Sequence, residues 1–302
     1  MSLVRTQAAV DTLETAIAAI AADVPGRLGV TVRFLQEGIE VGYAADDLFP
    51  SASVIKIPIM VEVYRQADVG TLRLDELLPV LKEEMTDGSG LLQYLHVGLP
   101  LTVADALELM IAISDNTATN LLVRRVGADA VNTTMRNLGL SQTRSAGPIR
   151  IANTPASRTP ASLVRPSHTT PREMALLLAA IAEGRLINAE ASAAMARTLE
   201  HQVYADMLPR YLPFTYYPER LGLAEMPVRV AHKTGALSGV RNDAGIVSVQ
   251  TAAGARTMII SAFSAELADE EVWTAENVGV LAIARIARLA YDTLVRLAEE
   301  PE

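Results

Sequence analysis

Apolar residues recur at helical spacing from Thr6 to Ala22 and predict an amphipathic helix. The pattern then changes to strand-like runs at Gly29–Gln36 and Gly38–Tyr43, joined by a turn at Glu37-Gly38. Helical spacing returns at Val54–Arg65, Asp75–Glu84, Thr102–Ile113, Thr119–Val126, Ala128–Leu138, Pro171–Glu183 and Asn188–His201. Thr102 and Thr170 stand where helix caps belong, the second followed by Pro171 at a favoured first helical position. Between Ser141 and Thr170 the chain is rich in Pro, Ser, Thr and Arg and shows no period; an irregular stretch of that length points to function or mobility. Beyond Tyr211, strands are predicted at Val228–His232, Ala244–Gln250 and Arg256–Ser264, and a helix over Val272–Glu299.

Strands at both ends of the chain share one sheet only if the termini come together. The expected organisation is therefore a discontinuous α/β sheet domain (1–50 and 213–302) with an all-α domain (51–212) inserted, and a functional cleft between them. Half of the 302 residues are hydrophobic and 20% are charged, enough apolar material for a sizeable core. The net charge of −9 and the lack of a basic stretch make nucleic acid and anionic membrane poor partners. Cysteine is absent, and His96, His168, His201 and His232 lack metal-ligand spacing. With no phosphate-binding or dinucleotide fingerprint either, no cofactor or metal is expected; Gly88-Ser89-Gly90 reads as a turn. Val4–Val24 contains Asp11, Glu14 and Asp23, so it is neither a signal core nor a membrane span. The expected location is cytoplasmic, or periplasmic or secreted if an export signal has been removed.

Lysine narrows the search. It occurs only at positions 56, 82 and 233, while arginine is used throughout. Lys82 lies among acids and reads as part of a solvated helix face, but Lys56 and Lys233 have no such setting. Ser53-Val54-Ile55-Lys56 follows Pro50 at a helix entrance, where positions i and i+3 share a face. A serine hydroxyl needs a base, and a lysine becomes one when burial or another cation depresses its pKa. The helix N-terminus also offers backbone N–H groups to an oxyanion, that of Ser53 among them. Ser114-Asp115-Asn116 ends one helical run and opens the next. It has a plain reading as a helix cap, and a functional one with Ser114 relaying a proton and Asn116 binding Lys56 and a substrate amide. Lys233-Thr234-Gly235-Ala236 ends a strand. Lys233 there is either a charge guarding a sheet edge or a source of positive potential. On the second reading Thr234 offers a hydroxyl to a carboxylate, Gly235 permits close approach of substrate, and the Ala236 N–H is a second oxyanion donor.

In this order the three motifs resemble the signature of class A β-lactamases and penicillin-binding proteins, and the chain looks like the class A branch along nearly its whole length. The resemblance implies an α/β (α+β) fold, an antiparallel sheet flanked by N- and C-terminal helices with an inserted helical domain. It makes Ser53, Lys56, Ser114, Asn116 and Lys233 catalytic, and Thr234, Gly235 and Arg241 substrate-binding, Arg241 through a substrate carboxylate. One departure stands out. Family members carry a glutamate in the loop before the helix at Pro171, where it activates the deacylating water. Here no Asp or Glu occurs between Asp129 and Glu173, and Thr154 falls near the expected place. The arginine–aspartate bridge that closes this loop also lacks its acid, although Arg150, Arg158 and Arg165 are near. His168 is a conceivable substitute base, though a lone loop histidine reads first as a surface residue.

The resulting expectation is a serine hydrolase that acylates Ser53 with β-lactams and releases it slowly. A D-Ala-D-Ala peptidase or esterase, and a β-lactam-binding sensory protein on the same fold, stay open as alternatives.

Overall fold

The computed structural model describes residues 2–149, 166–213, 227–269 and 272–299. Helix α1 (Ser2–Asp23) leads into strands β1 (Arg27–Phe34), β2 (Ile39–Tyr43) and β3 (Phe49–Pro50). A 3-10 turn (Ala52–Ile55) then feeds α2 (Lys56–Asp68), followed by β4 (Leu77–Pro79) and β5 (Pro100–Thr102). Next come α3 (Val103–Ala112), α4 (Asn116–Val126), α5 (Ala128–Asn137), β6 (His168–Thr169), α6 (Pro171–Ala182) and α7 (Ala189–Glu200). The chain closes with β7 (Val228–Leu237), β8 (Val240–Thr251), β9 (Gly254–Ala265) and α8 (Val278–Glu299).

The main sheet has the order β2-β1-β9-β8-β7, with every neighbouring pair antiparallel. N-terminal strand β1 pairs with C-terminal β9 over its full length, as strands at opposite ends of the chain require. Both faces are covered, so the central strands are buried at successive positions rather than alternate ones. Met258, Ile260 and Ala262 of β9 join Leu13 and Ile17 of α1 and Ile283 and Ile286 of α8 in one core cluster. Ile259 and Phe263 face the other way and join Met174 and Leu178 of α6 and the core of the helical layer. The sheet is thus sandwiched, and its edge strand β7 runs beside the entrance to α2.

The helix expected over Asp75–Glu84 does not form. Pro79 lies inside that run, where it has no N–H to donate and its ring clashes with the carbonyl four residues back. Leu77–Pro79 instead pairs antiparallel with Pro100–Thr102, and only Lys82–Glu84 makes a single 3-10 turn. With β6 pairing to β3, the stretch between the two halves of the sheet is mainly, but not purely, helical. The last helix begins at Val278 instead of Val272, because Asn277 caps it: its Oδ1 accepts from the Gly279 N–H at 2.9 Å. α4 starts three residues earlier than its periodicity suggests, at Asn116.

Candidate active site

Ser53 sits in the 3-10 turn that leads into α2, and Lys56 is the first residue of α2 proper. Pro58 explains why the α-helix begins there, since a proline fits the first turn, where N–H groups have no helical partner. Two hydrogen bonds and one close backbone approach outside the helix set the position of Ser53. The Asn242 amide donates to Pro50 O at 2.8 Å, the Ser51 N–H donates to Ser167 O at 2.9 Å, and β7 closes against the segment at Gly235. A β-carbon on Gly235 would lie 3.0 Å from both Ser51 O and Ser53 N. What approaches this glycine closely is therefore the segment that carries Ser53. Ala52 adopts φ 46°, a strained conformation for a residue with a side chain. Gly235→Ala is accordingly expected to fold but to displace Ser53 by a few tenths of an ångström, slowing acylation roughly tenfold; stopped-flow kinetics beside a thermal melt would show whether rate falls without loss of fold.

Lys56 is fully buried, and its amine points at the Ser114–Asn116 segment. It donates to Ser114 O at 2.7 Å, Ser114 Oγ at 3.0 Å and Asn116 Oδ1 at 2.9 Å, which accounts for the three donors of an ammonium. Ser114 has φ 57°, so the turn that presents both its carbonyl and its hydroxyl to Lys56 is strained. Burial, together with the positive charge of Lys233, holds the Lys56 amine well below the ordinary lysine range, against a smaller opposing pull from Asp115.

Asp115 bears out the cap reading of Ser-Asp-Asn, and its cap leaves Ser114 and Asn116 free to face Lys56. Its Oδ1 accepts the Ala118 N–H at 2.9 Å and caps α4, while Oδ2 accepts the N–H groups of Leu91 and Leu92 at 2.7 and 2.9 Å. One buried carboxylate thus ties the helix carrying Asn116 to the loop between β4 and β5. Asp115→Ala would orphan three N–H groups, two of them buried, and is expected to cost about 3 kcal/mol of folding free energy. Urea unfolding would measure this, and Asp115→Asn, which keeps an acceptor, should cost less.

Lys233-Thr234-Gly235 lies within β7, which runs on to Leu237 beyond the expected end at His232. Its register on β8 pairs Lys233 with Ala244, Thr234 with Asp243, Gly235 with Asn242 and Ala236 with Arg241. Lys233 is fully buried, donates to Thr234 O at 2.9 Å, and is lowered by burial to about 7, with Asp243 opposing. His232, on the opposite face, bonds Asp243 through Nδ1 at 2.9 Å, and Asp243 also accepts the Leu208 N–H at 3.0 Å.

These segments enclose a cavity of about 710 Å³, lined by Ser53, Ser114, Asn116, Thr234, Gly235, Ala236 and Arg241 among others. The size suits a small organic ligand. Lys56 and Lys233 stand behind this wall and act on the cavity through their charges. The Arg241 guanidinium is held in place by Leu237 O and Val240 O, both at 2.7 Å, and Val272 O at 2.5 Å, with Trp273 stacked 4.5 Å away. Trp273 is 59% exposed and is the single tryptophan of the chain. Sequence reasoning missed Ser89, Tyr204, Asp206 and Trp273, all of which line the cavity. Among the described residues Asp206 is the only acid doing so; burial, and then the charge of Asp243, raise its pKa. His168 does not line the cavity, and its Nδ1 lies 3.0 Å from Pro166 O. Thr154, Arg150, Arg158 and Arg165 lie outside the described residues.

Residues 12–294 match the family described as the β-lactamase enzyme family. The crystal structure of a β-lactamase from Sphaerobacter thermophilus DSM 20745 is similar, at 33% identity and a TM-score of 0.77, covering 96% of this chain and 98% of that one. The structure of PBP-A is similar at 25% identity and a TM-score of 0.75, over 93% of this chain and 95% of its own. In sequence, a β-lactamase of Rhodobacter capsulatus is 26% identical over 259 residues, 85% of this chain and 83% of that protein. β-Lactamase L2 of Stenotrophomonas maltophilia is 33% identical over 135 residues, a match that spans 44% of either chain.

Proposed function

The chain belongs to the β-lactamase enzyme family, and from that membership we propose that it opens β-lactam rings by acylation of Ser53. The observation that carries this is the buried amine of Lys56, one turn from Ser53 and bonded to Ser114 and Asn116 beside the cavity. A neutral amine there takes the Ser53 proton as Oγ bonds to the lactam carbonyl carbon. The Ser114 hydroxyl then delivers a proton to the ring nitrogen as the C–N bond breaks. Developing negative charge on the carbonyl oxygen is met by the backbone N–H groups of Ser53 and Ala236. Asn116 orients the acyl-side amide. The substrate carboxylate is received by the Thr234 hydroxyl and the Arg241 guanidinium, in the positive potential of Lys233.

Lys233 sets an upper pH limit in this scheme. As it loses its proton near pH 7 the attraction for an anionic substrate falls, so KM rises with increasing pH above that point. Release of the acyl group is slow, because the stretch between Asp129 and Glu173 carries no acid to activate a water. Benzylpenicillin exposure followed by intact-mass spectrometry and peptide mapping tests the proposal. An adduct of penicillin mass on the peptide containing Ser53 is the expected result; an unmodified protein, or an adduct elsewhere, refutes it.

A further inference from the structure

The turn Gly88-Ser89-Gly90, in the loop between β4 and β5, is built into the site. Gly88 and Gly90 have φ of 101° and 104°, and a β-carbon on Gly90 would overlap the Asp115 carboxylate. This brings Ser89 to the cavity wall. Its hydroxyl donates to Ser114 O at 2.6 Å and lies 3.4 Å from Asn116 Oδ1, while its carbonyl accepts the Asn116 N–H at 3.0 Å. Ser114 O therefore carries two donors, Ser89 Oγ and Lys56 Nζ, one for each lone pair.

We propose that Ser89 is a positioning residue for acyl transfer, sharing the Ser114 carbonyl with Lys56 and so limiting how tightly the amine is held. The inference rests on Lys56 acting as the base for Ser53. With the Ser89 hydroxyl gone, Ser114 O has a single donor to polarise it. It then attracts the ammonium form of Lys56 more strongly, and less neutral amine is present at a given pH. The hydroxyl also braces a peptide unit at φ 57°, which keeps Ser114 Oγ in line between Lys56 and the cavity. The charged groups acting on Lys56 from the packed elements are Lys233 of β7 and Asp115 at the start of α4. Asp243 acts on Lys233, Asp206 and Arg241 line the same cavity, and Asp87 on the loop itself accepts the Asn116 side-chain amide through its carbonyl.

Stopped-flow acylation by benzylpenicillin across the pH range tests this with Ser89→Ala. Near neutral pH the variant should acylate roughly three- to tenfold more slowly, and its acid limb should move to higher pH. Ser89→Thr, which keeps the hydroxyl, should recover most of the rate and the original limb. If Ser89→Ala does not fold, Ser89→Cys carries the same test, since a thiol of similar size is a weak donor. A slowed rate with an unmoved acid limb would overturn the proposal, as a merely structural role predicts that pattern. Wild-type kinetics in the variant would overturn it too. Acylation of the wild type that does not depend on Lys56 would instead remove the reading beneath it.

Discussion

Ser53→Ala should leave no covalent adduct after benzylpenicillin exposure, and Lys56→Met should slow adduct formation by about 10²–10⁴-fold. The first follows from the loss of the nucleophile. The second follows from what the fold does to Lys56. A lysine in water is protonated at neutral pH and cannot accept a proton; here burial and the charge of Lys233 depress its pKa. The neutral amine is the reactive form, so the wild-type rate should rise with pH as Lys56 loses its proton and level off above. That limb should lie well below the ordinary lysine range and vanish in Lys56→Met. Methionine fills similar space, so the Ser114 carbonyl keeps its Ser89 bond and a thermal melt separates misfolding from lost chemistry. Lys56→Met at the wild-type rate, or a wild-type profile without the limb, would defeat the assignment.

The acyl-enzyme, once formed, should persist. General-base assistance is worth about 10²–10⁴-fold, and release should be slower by that factor than with a carboxylate poised over the ester. The physical reason is local. Hydrolysis of the acyl-serine needs a water to lose a proton as it attacks, and neither Thr154 nor any neighbour up to Pro171 has a carboxylate to take it. Lys56 is bonded to Ser114 and Asn116, which suits the forward transfer. Intact-mass spectra taken at intervals after free benzylpenicillin is removed would give the adduct lifetime. Turnover too fast for an adduct to accumulate would contradict the expectation. Should the adduct then persist only in Asp206→Asn, the deacylating role would pass to that cavity carboxyl.

Much of the candidate site is legible because the proposed acyl transfer demands residue types that are conspicuous in this chain. Two of three lysines, in a protein that otherwise uses arginine, pointed to Lys56 and Lys233, and a titratable amine is what arginine cannot supply. Ser89 was read only as a turn between two glycines. The role proposed for it depends on the fold of a loop against Asp115, a contact that no local pattern encodes. The apolar neighbours of Trp273 place it in the last helix by periodicity; Asn277 caps that helix and starts it later, which leaves the Trp273 segment to stack on Arg241. The missed strand pair at Leu77–Pro79 had a signal in Pro79, which outweighs the periodicity around it.

Periodicity, capping residues and the order of three short motifs suffice to assign the sheet and most helices and to single out Ser53 and Lys56, since each depends on neighbours in the chain. The state of those groups does not. A lysine's affinity for its proton depends on how much water surrounds it and which charges face it. For Lys56 both are fixed by residues far away in sequence: Ser114 and Asn116 at the turn into α4, and Lys233, brought near where β7 closes on the entrance to α2.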